Sequence, residues 1–175
     1  MKGLIHIYTG NGKGKTTAAV GLGIRACGCG LKVLMVQFLK GSETGEIKIL
    51  EKLAPGFKVQ RTDKIKVFLW NMDKEQKRLA GEEVRMVFKD AVESALSGQF
   101  DVLILDEIMA SVSCNLIDLH EIVNFLKAKP ESLEVIMTGR NAPSELIELS
   151  DYVSEINEIK HPFNKGINAR KGIEF

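Results

Sequence analysis

The sequence predicts an α/β domain: a mainly parallel sheet with helices on both faces, in three layers. Two observations predict it. Short apolar runs alternate with longer stretches whose apolar residues recur at helical spacing, and a glycine-rich turn joins the first strand-like run to the first helical one. The composition adds a third, since 175 residues at 45% hydrophobic content can bury a real core in one unit.

Taken in order, residues 4–8 (Leu-Ile-His-Ile-Tyr) read as a strand that ends at Thr9-Gly10-Asn11-Gly12. A helix is expected over 15–27, stopped by Gly28 and Gly30. Residues 32–38 are nearly all apolar, as in a strand covered on both faces. A short helix over 46–53 halts before Pro55-Gly56, and 57–61 read as a third strand. Asp73 is placed to N-cap a long helix reaching Leu96, because Val84, Val87, Phe88, Ala91, Val92, Ala95 and Leu96 share one face. Residues 100–105 form an expected central strand leading into Asp106-Glu107. A helix over 118–127, a strand over 133–137, a helix over 143–149 and a closing strand over 152–156 complete the alternation. With no repeat and no linker, residues 1–175 read as a single domain. Two segments escape the pattern: 62–72, which holds Phe68 and the lone Trp70, and the glycine-bearing polar tail 159–175. Such loops serve ligands or oligomer contacts, or simply cover the surface.

Charge narrows the function classes. Lys and Arg number 24 against 23 Asp and Glu, so phosphate attraction alone does not drive binding to nucleic acid. No apolar run approaches the roughly 20 residues of a membrane span. The first residues pass straight into strand-like sequence, which leaves no room for a signal peptide. Cys27, Cys29 and Cys114 are too few for a disulfide framework and lack metal-site spacing, so a reduced cytoplasmic protein is expected.

The strongest motif is Gly10-Asn11-Gly12-Lys13-Gly14-Lys15-Thr16-Thr17 between a strand and a helix, the setting of a phosphate-binding loop. Glycines let the backbone turn and approach an anion, and amide N–H groups join the positive helix end in facing it. Lys15 supplies an ammonium to the outer phosphates, and the Thr16 hydroxyl suits Mg²⁺ (or Mn²⁺). The usual loop carries a glycine where this one has Thr9, which alters the entry turn. Asp106 and Glu107 end a buried strand at the edge where α/β sheets collect ligands, and are the expected metal-binding acids. Together the two elements predict a P-loop nucleoside triphosphate–Mg²⁺ site.

The ordered set of motifs resembles the P-loop corrinoid adenosyltransferases, the ATP:cob(I)alamin adenosyltransferase family. The likeness runs through the residues 9–19, Val36-Gln37-Phe38-Leu39-Lys40-Gly41, Phe68-Leu69-Trp70, Asp106-Glu107, Thr138-Gly139-Arg140, Ser154-Glu155 and Lys160-His161. The sequence reads as lacking the N-terminal extension that some members carry. The resemblance implies that cobalt(I) of a reduced corrinoid attacks C5′ of ATP and expels triphosphate, with ATP reversed relative to most P-loop enzymes. It implies a flavoprotein reductant, a homodimer, and a role for Phe68 and Trp70 in displacing the lower axial ligand of the corrinoid. Core packing is the plainer alternative for both aromatics.

Other candidates rest on position. Arg25 is a possible nucleotide contact or a partner of a surface carboxylate. Gln37 and Lys40 end a strand on the ligand edge, and Arg140 follows another. His6 and His120 read as structural, whereas His161 lies in the tail, within reach of the site or a partner subunit. Two further functions fit the loop alone: a phosphoryl-transfer enzyme or NTPase cutting at the γ-phosphate, and a non-catalytic ATP-dependent switch.

Overall fold

The computed structural model describes residues 2–40, 44–62 and 72–174. The expectations for Gly41, Phe68 and Trp70 lie outside the described residues. Six strands form one sheet: β1 (Ile5–Thr9), β2 (Val33–Gln37), β3 (Phe57–Arg61), β4 (Val102–Asp106), β5 (Glu134–Thr138) and β6 (Tyr152–Glu155), in the order β3-β2-β4-β5-β1-β6. Every pairing is parallel, so all six strands end on one edge.

The central strands alternate their side chains between two cores, as a period of two requires. Val33, Met35, Val102 and Ile104 pack with Ala19 and Val20 of α1 (Lys15–Gly28) and with Leu50 of α2 (Ile47–Leu50). Leu34, Val36, Leu103 and Leu105 face the other way. They meet α3 (Lys74–Leu96), α4 (Ile108–Ser113), α5 (Leu119–Ala128) and α6 (Ser144–Leu149). Helices on both faces make the three layers. The Asp73 cap is present as a full capping box, its carboxylate accepting from the Gln76 N–H at 2.8 Å and its own N–H donating to the Gln76 side chain.

Several details differ from the expectation, β5 among them, which is shifted one residue later to Glu134–Thr138. The first strand is shifted one residue later and ends on Thr9. The fourth begins at Val102 rather than at residue 100, because Asp101 is already engaged: its carboxylate accepts from the Lys32 N–H at 2.8 Å. The helix expected over 46–53 is one α-turn that tightens into a 3₁₀ turn at Glu51–Leu53. Helix α4 went unforeseen. At six residues it is too short to show a period, and Glu107 ahead of it takes a left-handed conformation (φ 62°) that turns the chain from strand to helix.

Candidate active site

The strand ends gather the loop, the acids and the tail around one cavity of about 820 Å³. Its floor is the loop after β1. Gly10 has φ 98°, and a Cβ there would lie 2.4 Å from the Ile156 carbonyl oxygen. The loop is thus pressed against the chain leaving β6, and the Gly12 N–H donates to that same carbonyl at 2.7 Å. Gly10 serves this contact within the chain and is not among the described residues that line the cavity. Gly14 is different: at φ 122° it has open space where a Cβ would stand. Thr9, in place of the customary glycine, is buried, and its hydroxyl accepts from the Ala142 N–H at 3.3 Å.

Gly14 caps α1 with no side-chain hydrogen bond, and no acidic residue stands in the first turn. The first N–H groups of α1 therefore remain available to an anion, with the helix dipole behind them. Lys15, buried at the head of the helix, donates to the Gly12 carbonyl at 2.9 Å. Burial lowers its pKa from the ordinary lysine value; Glu107 opposes that, Arg140 adds to it, and Asp106 opposes it. Asn11, Lys13, Thr16 and Thr17 line the same floor.

Behind the floor lies a saturated carboxylate. Asp106 is fully buried; its Oδ1 accepts from the hydroxyls of Thr16 (2.8 Å) and Thr138 (2.7 Å). Its Oδ2 accepts from Lys40 Nζ (2.8 Å) and Gln37 Nε2 (3.3 Å). Sheet register explains the grouping, since Gln37 is the direct neighbour of Asp106 across β2 and β4. The Lys40 ammonium also reaches Thr16 Oγ1 at 3.3 Å, so a cation already bridges a hydroxyl and a carboxylate here. Hard oxygen donors around a positive charge match the chemistry of a divalent cation such as Mg²⁺. Among the described residues no cluster of three or more His, Cys, Asp or Glu side chains could hold a metal alone, so such an ion would need phosphate and water oxygens as well.

The two adjacent acids part company. Asp106 sits behind Thr16, whereas Glu107 lines the cavity. Burial raises the Glu107 pKa, Asp106 adds to the rise, and Lys40, Lys15 and Arg140 oppose it. Lys40 and exposed Arg140 line the cavity too. Gln37 does not: fully buried, among the described residues it joins the site through Asp106. Arg25 is also remote, exposed in the last turn of α1 and about 15 Å along the helix from Lys15 at 1.5 Å per residue.

The chain as a whole is similar to known proteins. The family model ATP:corrinoid adenosyltransferase BtuR/CobO/CobP matches residues 1–175. The chain belongs to this family. Relatives named corrinoid adenosyltransferase are 38% identical in Escherichia coli K12 (99% of this chain, 86% of the relative) and 38% in a Sinorhizobium species (99% and 81%). A third, from Pseudomonas aeruginosa, is 33% identical (99% and 84%).

In this corrinoid adenosyltransferase-family chain the outer wall of the cavity comes from the tail. Glu158, His161, Phe163, Asn164, Gly172 and Ile173 line it, with Glu174 beside them. A 3₁₀ turn at Pro162–Lys165 shapes the wall; its N-cap His161 accepts the Phe163 N–H on Nδ1 at 3.2 Å. Only His161 was singled out from the sequence. The Lys160-His161-Pro162 and Gly172 turn residues were the available signal. Thr44 and Glu46, after β2, also line the cavity. His6 is structural as expected, buried against Glu134 and stacked on Tyr152 at 4.6 Å. Among the described residues no helix is long and apolar enough to cross a membrane.

Proposed function

We propose that the protein transfers the 5′-deoxyadenosyl group of ATP to cobalt(I) of a reduced corrinoid and releases inorganic triphosphate. The observation that carries this reading is the uncapped head of α1, with Lys15 buried in it, opening into a large cavity in a chain of this family. The cobalt(I) lone pair forms the Co–C5′ bond, the C5′–O5′ bond breaks, and its electrons leave on the triphosphate. Cobalt is thereby oxidised by two electrons, and no protein nucleophile is required.

The chain's own task is to hold the departing polyphosphate. The loop amides and Lys15 face the oxygens that gain charge as the C–O bond breaks, an interaction strongest at the transition state. Thr16 directly, Asp106 through Thr16 or water, and Glu107 from the cavity wall would hold Mg²⁺ (or Mn²⁺), which supplies further charge neutralisation on the leaving group. Asn11, Lys13, Thr17, Lys40 and Arg140, which line the cavity, are the further nucleotide contacts of this reading. On this reading ATP lies with its ribose end toward the corrinoid, reversed relative to most P-loop enzymes.

Phe68 and Trp70 keep the role that family likeness suggests, presenting an apolar surface in place of the corrinoid's lower ligand. Trp70→Ala is expected to depress turnover from cob(II)alamin plus reductant more than turnover from chemically prepared cob(I)alamin; equal losses in the two assays contradict it. A flavoprotein reductant, a homodimer, a cytoplasmic setting and a single domain over 1–175 complete the proposal. Incubation with ATP, Mg²⁺ and reduced corrinoid tests the whole. Triphosphate together with a light-sensitive alkyl-cobalt spectrum is expected; ADP or phosphate as product, or ATP binding without turnover, contradicts it.

A further inference from the structure

Among the described residues, four carboxylates line the cavity beside four Lys and Arg side chains. That balance is unexpected for a site that must accept a polyphosphate, because each carboxylate repels the ligand. One of the four is built into the loop's own charge. Glu174 Oε1 accepts from Lys13 Nζ at 3.2 Å and from Arg170 Nη2 at 3.2 Å. Its Oε2 accepts from the Arg170 backbone N–H at 2.7 Å and from Arg170 Nε at 3.3 Å. The Arg170 side chain and backbone hold the Glu174 pKa down to about 2, with help from Lys13, so the carboxylate is ionised at any working pH.

Arg170 anchors Glu174 within the tail, and Lys13 is its contact across to the phosphate loop. Lys13 lies between Gly12 and Gly14, lines the cavity, and has a side chain about half exposed (48%). Its ammonium is free to turn toward a polyphosphate unless the carboxylate holds it. An exposed pair of this kind is weak. A triphosphate can therefore compete for Lys13, and the carboxylate can reclaim it.

We propose that Glu174 is a positioning residue that holds the Lys13 ammonium away from the polyphosphate, so that the loop binds the leaving group less tightly than its own cations allow and lets it go after the reaction. This rests on the reading that triphosphate is the product held in the loop. It assigns the tail a second task beyond walling the cavity: it tunes release.

Binding of inorganic tripolyphosphate to the full chain, by calorimetry at low salt and without corrinoid, tests the proposal. Glu174→Gln keeps the shape and removes the charge. It is expected to tighten tripolyphosphate by about three- to tenfold, with the gain shrinking as salt rises. The same change in a Lys13→Gln background is expected to have no such effect, since the interaction runs through that ammonium. Glu174→Asp should restore much of the original affinity. In turnover, kcat and KM for ATP should fall together in Glu174→Gln, the signature of a product held too long. Weaker or unchanged tripolyphosphate binding in Glu174→Gln would mean that the carboxylate only pins the tail. Equal tightening with and without Lys13 would mean a general charge effect. Either result overturns the proposal. Product analysis of the unmodified protein is separate: ADP in place of triphosphate would sink the reaction but not the binding result.

Discussion

The floor of the cavity hangs on buried strand ends, whereas its outer wall, residues 158–174, rests on exposed contacts. On the floor, Asp106 has no exposure and four partners drawn from α1, β2, β5 and the loop after β2. In the wall, Glu174 reaches the rest of the protein through the partly exposed Lys13. A charge network inside the sheet edge is costly to disturb, because removal of one partner strands the others away from water. A surface pair contributes little and yields readily. On the proposed reading, the group held through bond breaking is gripped by the buried part, and substrate and product pass the exposed one.

Variants on the two sides sharpen this contrast. Lys15→Ala should have the largest effect, lowering kcat/KM for ATP by about 10²–10³-fold in steady-state assays, because it removes charge aimed at the leaving group. Asp106→Ala should cost about 3 kcal/mol in urea unfolding and weaken the dependence on Mg²⁺, since it removes the counter-charge of the Lys40 ammonium and the acceptor of the Thr16 hydroxyl. A loss no larger than that of an exposed substitution would erase the distinction between floor and wall.

Gly10→Ala and Gly14→Ala separate two uses of glycine within one loop. The first places a Cβ 2.4 Å from the Ile156 carbonyl oxygen at φ 98° and should cost about 2–4 kcal/mol of stability. The second meets open space, so its smaller stability cost comes from φ 122° alone, and its main effect should be on ATP affinity. Thermal melts with and without ATP distinguish them.

The smallest expected effect concerns Glu107, whose folded-state pKa is raised above 4.5 by burial. A carboxyl with a raised folded pKa contributes most below the unfolded value, and that contribution is lost as pH rises through the folded one. Glu107→Gln should therefore raise the urea midpoint slightly at neutral pH and leave it unchanged below about pH 4. A gain of equal size at both pH values would remove the charge from the explanation.

The contrast also explains what the sequence revealed. The strands, the long helix and the phosphate loop are local patterns; the loop needs only a strand before it and a helix behind. The Asp106 network was half legible. Its acid was evident, but Gln37 and Lys40 join it only because β2 and β4 are neighbours in the sheet, which chain order does not state. Arg25, a helix length behind the loop, is a possible nucleotide contact by sequence, yet helix geometry carries it to the end of α1 opposite Lys15. The wall was least legible, since the partner of Lys13 lies 161 residues away and no periodicity marks an irregular tail. Such a contact follows from packing the finished fold.

The central claim is that the loop holds a departing triphosphate while carbon, not phosphorus, is transferred. ATP labelled with ¹³C at C5′, incubated with Mg²⁺ and a reduced corrinoid and followed by NMR, tests it most directly. The account predicts that the label moves to a cobalt-bound carbon as one equivalent of intact tripolyphosphate appears. Label that stays in ADP or AMP, with phosphate or pyrophosphate released, would contradict it.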